Sequence, residues 1–349
     1  MIRVARTKHG GGRESRLTMT GPLPMLAVMY SASELEMARR IVYAAMPPTP
    51  QYVWPLLAAE AACEVWVKHE NHTPTGAFKV RGGLVHLGLR KERGLANGVI
   101  TATRGNHGQS IPFAAARAGI PVTVVVPRGN SVEKNAAMRA LGAELIEAGH
   151  DFDAAREAAA AIAGERGLDF IASFGPELVL GVSTYAHELF NAAGALDAVY
   201  VPIGMGSGIC GVIAARDMLG LKTRVVGVVA EGANAYARSV AAGYPVATGE
   251  ARTFADGMAV RIPHASALEI IRQGADRIVE VSDAQIAAAV RAYFRCAHSL
   301  AEGAGAASLA ALLTEKDGMA GKRVGVILSG GNIDMPKYAA ILRGETPPD

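Results

Sequence analysis

The sequence predicts an α/β fold built on parallel β-sheets, and three observations lead to this prediction. First, short runs of β-branched residues alternate along the chain with alanine-rich segments. Second, apolar residues recur at helical spacing in the alanine-rich segments, whereas the short runs are almost continuously apolar, as in strands covered on both faces. Third, 349 residues, of which 50% are apolar, suffice for a large core and for two lobes rather than one.

Six strands are predicted, and helical segments lie between them. The strands are VWVK (65–68), GVITA (98–102), PVTVVV (121–126), AVYVPI (198–203), RVVGVVA (224–230) and RVGVIL (323–328). The clearest helical segments are GQSIPFAAARAG, VEKNAAMRALGA, FDAAREAAAAIAGERG and DAQIAAAVRAYFRCAHSL. Most of them end near Gly or a basic residue, as helices commonly do. Strand, helix and strand in alternation indicate a parallel sheet.

No Pro/Gly/Ser-rich hinge divides the sequence into two halves. We therefore expect one lobe to be inserted within the other. The small lobe is predicted to span 98–174, and the large lobe to combine 25–97 with 175–349. Residues 1–24 contain five Arg or Lys and one Glu, and we predict that they form a disordered basic tail.

Charge and composition exclude several classes of protein. The net charge of +3 comes from the basic tail, whereas a nucleic-acid-binding protein concentrates positive charge on a folded face. We find no secretory signal and no apolar run long enough to span a membrane. Cys63, Cys210 and Cys296 are far apart, so neither a disulfide framework nor a zinc site is indicated. We expect a cytoplasmic enzyme that acts on a small molecule. We expect this enzyme to bind neither nucleic acid nor a membrane.

Four stretches carry residues with a chemical role, and the first is TGAFKVRGG at 75–83. Lys79 opens a predicted helix there. A lysine amine forms an imine with an aldehyde when desolvation or nearby cations leave it partly deprotonated. Most lysines are solvated surface charges, so this motif alone favours an ordinary surface lysine over a catalytic one. Phe78 is by default a core residue, or else the face against which a ring packs.

The second stretch is TATRGNHGQ at 101–109, between a predicted strand and a predicted helix. Ligands collect where loops leave the carboxyl ends of parallel strands, and the amides at a helix start bind anions such as a carboxylate. Asn106 can hydrogen-bond a phenolic oxygen. An ordinary turn through Gly105 and Asn106 explains the same residues equally well.

The third stretch, GMGSGICG at 204–211, follows a predicted strand. Its glycines let backbone amides close around a phosphate, and Ser207 adds a hydroxyl donor. The loop also satisfies the GxGxxG fingerprint of dinucleotide-binding folds, with Glu231 at the distance of a ribose-binding acid. Taken by itself, the loop is compatible with a cofactor phosphate or with a dinucleotide.

The fourth stretch is SGGNID at 329–334, after the last predicted strand. The hydroxyl of Ser329 can pair with a pyridine nitrogen without protonating it, as an aspartate would. Taken by itself, the motif is typical of a plain turn between a strand and a helix.

Together and in this order, the four stretches resemble the fold-type II pyridoxal-phosphate (PLP) enzymes, most closely the threonine/serine dehydratase and serine racemase group. The likeness extends over about 48–342 and includes GVSTYAHEL, TFADGMAV and AEGAGAA. It implies the tryptophan synthase β-like fold, with two parallel-sheet lobes and the active site in the cleft between them. It also implies PLP as the cofactor and a homodimer.

The resemblance assigns a role to each motif. Lys79 would hold PLP as an imine and move the Cα proton, with Phe78 packed against the cofactor. The substrate carboxylate would be received by Thr103, Arg104, Gly105 and His107. The remaining PLP contacts would be Asn106 at the ring hydroxyl, Gly204, Met205, Gly206, Ser207 and Gly208 at the phosphate, Ser329 at the ring nitrogen and Glu302 near the cofactor edge.

The reaction implied is β-elimination from an L-3-hydroxy amino acid of the threonine or serine type, which yields a 2-keto acid and ammonia. The alternative substrates within this class are 3-hydroxyaspartate, a 3-aryl-serine such as 3-phenylserine, and diaminopropionate. Two other classes of protein compete with this interpretation. One is an NAD-linked oxidoreductase built on the glycine loop and Glu231, and the other is a non-catalytic cofactor-binding module.

Three features depart from the family pattern, namely Arg104, Ala237 and the less polar segment ASFGP at 172–176. Arg104 stands where dehydratases and racemases commonly have Ser, and a guanidinium that stays protonated cannot shuttle a proton. We therefore expect weak racemisation, and we expect Arg104 to bind the substrate carboxylate or a polar substituent. The family pattern for a cation matches Glu231 and the carbonyl of Ala235, but Ala237 replaces the second acid, which favours a monovalent over a divalent ion.

Overall fold

The computed structural model describes residues 29–95 and 97–349. Its strands are β1 (Gln51–Val53), β2 (Glu64–His69), β3 (Val99–Ala102), β4 (Val122–Val126), β5 (Glu144–Glu147), β6 (Asp169–Phe170), β7 (Ala198–Pro202), β8 (Arg224–Ala230), β9 (Arg277–Val281) and β10 (Arg323–Leu328). Its α-helices are α1 (Ala32–Tyr43), α2 (Pro55–Ala61), α3 (Lys79–Glu92), α4 (Asn106–Ala118), α5 (Val132–Ala140), α6 (Phe152–Arg166), α7 (Pro176–Ala193), α8 (Ser207–Met218), α9 (Ala235–Ala242), α10 (Ala265–Gly274), α11 (Asp283–Ala297), α12 (Gly303–Thr314), α13 (Lys316–Met319) and α14 (Met335–Leu342).

The strands form two sheets. The larger has the order β1-β2-β10-β7-β8-β9, and the smaller has the order β5-β4-β3-β6. Apart from the antiparallel pair β1 and β2, all neighbouring strands are parallel. The prediction of an α/β fold with two parallel sheets is confirmed. All strands of the smaller sheet lie between β2 and β7 in the chain, while the exact lobe boundaries at 98 and 174 stay a prediction. The predicted basic tail, 1–24, lies outside the described residues.

All six predicted strands form, with ends that differ from the prediction by at most one residue. Four strands were not predicted, namely β1, β5, β6 and β9, and these are the edge strands of the two sheets. An edge strand has one side without a neighbouring strand, so part of its surface is exposed. In β5 and β9 most residues are accordingly partly or fully exposed. An edge strand therefore lacks the continuous apolar run that makes a central strand recognisable.

Side-chain caps define where several helices begin. In α1 the hydroxyl of Ser31 accepts from the amide of Glu34, whose carboxylate in turn accepts from the amide of Ser31. Ser282 and Gln285 make the same reciprocal pair at α11. Ser131 caps α5, where its hydroxyl accepts from the amide of Lys134. These residues satisfy amides that have no intrahelical acceptor.

Two helices connect the lobes and pack against each other. Helix α3 leads from β2 of the larger sheet to β3 of the smaller one, and α7 leads back from β6 to β7. A Cβ at Gly82 of α3 would lie 2.8 Å from the carbonyl oxygen of Leu178 in α7, and a Cβ at Gly181 would collide with the carbonyl of Arg81. The two backbones are thus in direct contact.

A buried charge network lies beside this helix pair. Arg81 Nε donates to Glu70 Oε2 at 2.7 Å, and its Nη1 donates to Glu188 Oε1 at 2.6 Å. Lys68 Nζ donates to Glu188 Oε2 at 2.6 Å. The two cations balance the two carboxylates, so the network joins β2, α3 and α7 without leaving an uncompensated buried charge.

Within the parts of the chain that the structure describes, we find no helix with both the length and the apolar character needed to cross a membrane.

Candidate active site

A cavity of about 450 Å³ lies at the carboxyl ends of strands from both sheets. Loops after β3, β5 and β6 line one side of it, and loops after β7 and β10 line the other. Ligands of open α/β sheets bind at this edge. The structure brings together here Phe78, Lys79, all of 103–107, all of 204–208, Glu302 and Ser329.

Lys79 is the first residue of α3 and directs its amine into the cavity. Its Nζ donates to the hydroxyl of Ser207 at 2.8 Å and lies 3.4 Å from the carbonyl of Ser173. The Phe78 ring centroid is 5.4 Å away. Burial lowers the pKa of Lys79 to about 8. The amine is therefore partly neutral near that pH, as a nucleophile or base must be.

The glycine loop between β7 and α8 directs the start of that helix at the cavity. Gly206 precedes the helix with φ +98°, a conformation that L side chains rarely adopt. The hydroxyl of Tyr236 donates to the carbonyl of Met205 at 3.1 Å and fixes the loop. The first amides of α8, beginning at Ser207, have no intrahelical acceptor, so this end of the cavity favours an anion.

The loop 103–107 presents a second helix start to the same cavity. The hydroxyl of Thr103 accepts from the amide of Gly105 at 3.0 Å, and α4 begins at Asn106. Burial, followed by the charge of Lys79, lowers the pKa of His107 to about 3, so its imidazole is neutral. Any anion bound here is therefore held by amides or by Arg104, since His107 supplies no charge.

The side chain of Asn106 belongs to a chain of hydrogen bonds. Its Nδ2 donates to Glu302 Oε1 at 2.5 Å, and its Oδ1 accepts from Asn332 Nδ2 at 2.8 Å. Asn332 also donates to the carbonyl of Thr75 at 2.8 Å. One N–H of the Asn106 amide group is left over and can reach a ligand oxygen.

Ser329 follows β10, and its side chain lines the cavity although the residue as a whole is buried. Its carbonyl accepts from the amide of Phe78 at 3.0 Å. This bond joins the end of β10 to the residue next to Lys79, so the serine hydroxyl and the lysine amine belong to adjoining segments of the wall.

Sequence reasoning missed several charged residues of the cavity, of which Lys134 and Asp256 form an ion pair with each other. Lys134 Nζ donates to Asp256 Oδ2 at 2.9 Å and lies 3.8 Å from Glu302 Oε2. Lys134 lies in VEKNAAMRALGA, where it has the spacing of an ordinary helix lysine. Asp256 lies in TFADGMAV, a segment that resembles the family but carries none of the four motifs.

The residues predicted to bind a cation lie away from the cavity wall. Glu231 is exposed, and the carbonyl of Ala235 accepts from the hydroxyl of Ser239 at 2.7 Å. Among residues 29–95 and 97–349, no three His, Cys, Asp or Glu side chains cluster in a way that could hold a metal ion. A monovalent cation held largely by carbonyls stays a prediction.

Comparison with known proteins decides the family. The model of the family described as "Pyridoxal-phosphate dependent enzyme" matches residues 42–330, which include the first three motifs and, of the fourth, Ser329 and Gly330. The chain belongs to this family. PLP is therefore the cofactor, and the interpretation of the 204–211 loop as a dinucleotide site is set aside.

Named relatives refine the reaction class. The chain is 33% identical to L-threonine ammonia-lyase of Thermotoga maritima over 88% of this chain and 77% of the relative. It is 38% identical to phenylserine dehydratase of Ralstonia pickettii over 76% of this chain and 82% of the relative. The processed form of threonine deaminase isoform 2 from Solanum lycopersicum superposes with a TM-score of 0.83 at 27% identity, covering 90% and 94% of the two chains. The prediction of a PLP-dependent lyase that acts on hydroxy amino acids by β-elimination is confirmed.

The residues of the cavity fit this cofactor. An amine of lowered pKa, as at Lys79, suits imine formation with an aldehyde. The amides that open α8 suit a phosphate, and Gly206 keeps that turn free of a Cβ, which would lie 2.7 Å from Ala267 Cβ. The hydroxyl of Ser329 suits a pyridine nitrogen.

Proposed function

We propose that the protein is an ammonia-lyase that removes the hydroxyl group from an L-3-hydroxy amino acid of the threonine or serine type and releases a 2-keto acid and ammonia. One observation carries the proposal: the amine of Lys79, the helix start at Ser207 and the hydroxyl of Ser329 converge on a single cavity. The named relatives, which are lyases and dehydratases of hydroxy amino acids, support it.

Each role in the reaction falls to a residue already described. When bound, PLP supplies an aldehyde carbon and a conjugated ring that withdraws electron density from the substrate Cα. Lys79 Nζ would hold the cofactor, would be released as a free amine when the substrate amine takes its place, and would then take the proton from Cα while the 3-hydroxyl leaves as water. The hydroxyl of Ser329 would donate to the ring nitrogen without giving up its proton, and the amides that open α4 would bind the substrate carboxylate.

We propose that elimination dominates over racemisation, because neither Arg104 nor His107 is suited to carry the Cα proton beside Lys79. Lys79 has a pKa of about 8 and exchanges its proton readily. Arg104 stays protonated, and His107, with a pKa of about 3, is a poor proton carrier near neutral pH. A racemase needs a proton carrier on each face of Cα, and these two residues do not supply the second one.

The charge of the cavity favours one alternative substrate, 3-hydroxyaspartate. Arg156, Arg252 and Arg261, which line the cavity, each pair with a carboxylate. Arg104 is exposed on the same wall, and no carboxylate of the described residues forms an ion pair with it. A guanidinium of this kind binds a second carboxylate in a forked contact.

A panel of substrates tests the proposal. The holoenzyme is incubated with L-threonine, L-serine, and the threo and erythro isomers of 3-hydroxyaspartate and 3-phenylserine, and both keto acid and ammonia are measured. We expect equal amounts of the two products from at least one L-isomer. Formation of neither product from any of these compounds would refute the proposal, with Lys79→Ala as the inactive control.

We also propose that the protein is a cytoplasmic homodimer. Large apolar side chains are exposed on the edge strand β1 and on α2 and α11, namely Tyr52, Leu56 and Phe294. Exposed apolar surface beside a sheet edge is a common site of protein association. The thiols of the three cysteines are unpaired, as is usual in a reducing compartment.

A further inference from the structure

Lys134 connects the smaller sheet to the larger lobe inside the cavity. It lies in the first turn of α5, which follows β4, whereas Asp256 and Glu302 both lie in the part of the chain that follows β8. The Lys134 side chain is only 7% exposed, and its ammonium contacts both of these carboxylates. A lysine buried between two carboxylates is not an ordinary surface charge.

The same end of α5 makes two further contacts with the larger lobe. The hydroxyl of Ser131 donates to Asp334 Oδ1 at 2.5 Å, and the amide of Met335 donates to Glu133 Oε1 at 3.0 Å. The first turn of α5 therefore meets the segment after β10 along the cleft. Lys134 is the buried member of this contact.

Glu302 carries the influence of Lys134 to Asn106. An ionised carboxylate can only accept hydrogen bonds, so it fixes the Asn106 amide with its NH₂ group toward Glu302. Asn332 fixes the other end, since its NH₂ group donates to Asn106 Oδ1. A protonated Glu302 could donate instead, and the Asn106 amide would then be held in this orientation by Asn332 alone.

The charges of Lys134, Asp256 and Glu302, which form the cluster, agree with an ionised Glu302. Burial raises the pKa of Glu302, and the nearby ammonium of Lys134 opposes that rise. Burial lowers the pKa of Lys134, but Glu302 and Asp256 raise it more, so the ammonium keeps its proton. Without Lys134, two carboxylates would share the buried space with no cation between them.

We propose that Lys134 is a positioning residue, which holds the two lobes together across the cleft and keeps the Asn106 amide in one orientation toward the cofactor. It acts through Asp256 and Glu302. The inference rests on the cofactor site proposed above and does not depend on which amino acid is the substrate.

The first test removes the charge but keeps the length of the side chain, in Lys134→Met holoenzyme. We expect kcat to fall about tenfold or more, with a smaller change in KM, because a buried charge-assisted contact is lost. The visible absorption band of the bound cofactor should shift, and amide hydrogen exchange at 131–135 should quicken. Lys134→Arg, which keeps the charge, should restore most of these properties.

A double-mutant cycle tests the route through Glu302. In Glu302→Gln the side chain still accepts from Asn106 Nδ2 but needs no ion pair. Lys134→Met should therefore lower kcat by a much smaller factor in this background than in the wild type. An equal cost in both backgrounds would overturn the proposal. If Lys134→Met does not fold, Lys134→Gln takes its place, and an unshifted band in that variant would be equally damaging.

Lys337→Met serves as the matched control, because it removes a positive charge near Asp256 without touching the cluster. It should change kcat by less than about twofold, because Lys337 lines the same small cavity but forms no ion pair with Asp256 or Glu302. A loss as large as that of Lys134→Met would show that only the net charge matters. The band and the hydrogen exchange are measured without substrate, so a wrong substrate assignment cannot be mistaken for failure of this proposal.

Discussion

At the scale of single residues, the environment of Lys79 sets when the enzyme can bind its cofactor. Its amine contacts a serine hydroxyl and a carbonyl, and burial brings its pKa to about 8 instead of the usual 10.5. The neutral amine is the form that attacks an aldehyde, and its fraction rises with pH until the pKa is passed.

The rate at which cofactor-free protein captures PLP should therefore rise about tenfold per pH unit below pH 8 and level off above it. Stopped-flow absorbance between pH 6 and 9.5 would measure this. Lys79→Ala should form no visible band at any pH. A rate that is flat or falls over this range would show that the amine is not the limiting group.

Arg104 is the residue at which the substrate can be changed. Replacing it with serine removes a guanidinium from the cavity wall, so KM for a dicarboxylic substrate should rise about tenfold or more, while KM for threonine changes less. Steady-state kinetics on both substrates would measure the difference. Unchanged kcat and KM for every substrate would refute a role in substrate binding.

At the scale of elements, the turn into α8 depends on one glycine. Gly206→Ala would place a methyl group 2.7 Å from Ala267 Cβ at φ +98°, so the amides that open α8 should move and the affinity for PLP should fall about tenfold or more. Fluorescence titration of cofactor-free protein would measure this.

Gly220→Ala is the control for that prediction, because Gly220 also has positive φ (+63°) but a Cβ there meets open space. It should lower stability by about 1 kcal/mol and leave the affinity for PLP unchanged. Equal losses of affinity in both variants would mean that backbone strain alone is responsible.

The elements β2, α3 and α7 are joined by the buried charge network. Arg81→Leu leaves Glu70 and Glu188 with too little positive charge, so the free energy of unfolding should fall by about 3–5 kcal/mol. Arg93→Leu, directly after the same helix, breaks an exposed pair with Glu177 and should cost less than about 1 kcal/mol. Urea denaturation of both variants would measure this, and similar costs would show that the network does not stabilise the helix pair.

At the scale of the whole molecule, exposed apolar side chains indicate where two copies would meet. Phe294 on α11 is 48% exposed, so Phe294→Glu should convert a dimer into monomers by burying an unpaired charge in the interface. Sedimentation velocity would detect the change. Tyr244→Glu, at a residue 64% exposed after α9, should leave the assembly intact. A wild-type monomer would contradict the proposed homodimer.

The sequence was informative wherever a local signal is strong. Continuous apolar runs identified the central strands, and glycine-rich loops directly after β3, β7 and β10 identified three walls of the cavity. Both signals arise from neighbouring residues, because burial on two faces and close backbone approach leave their mark on adjacent positions.

The features that could not be predicted from the sequence depend on contacts between distant segments. Lys134 and Asp256 are 122 residues apart, and nothing in either segment reveals which carboxylate neutralises the lysine. The neutral state of His107 likewise follows from burial beside Lys79, which only the packed structure shows. Edge strands such as β5 escaped prediction because partial exposure leaves their apolar pattern incomplete.

The contact between Gly82 and Leu178 has a mechanical consequence for the enzyme. Both connections between the lobes run through α3 and α7, whose backbones touch, so neither is a flexible linker. If the active site opens, α3 and α7 must bend or shift together. Larger side chains where the two helices cross would push them apart. Mutations at this crossing, remote from the chemistry, would therefore alter how fast products escape.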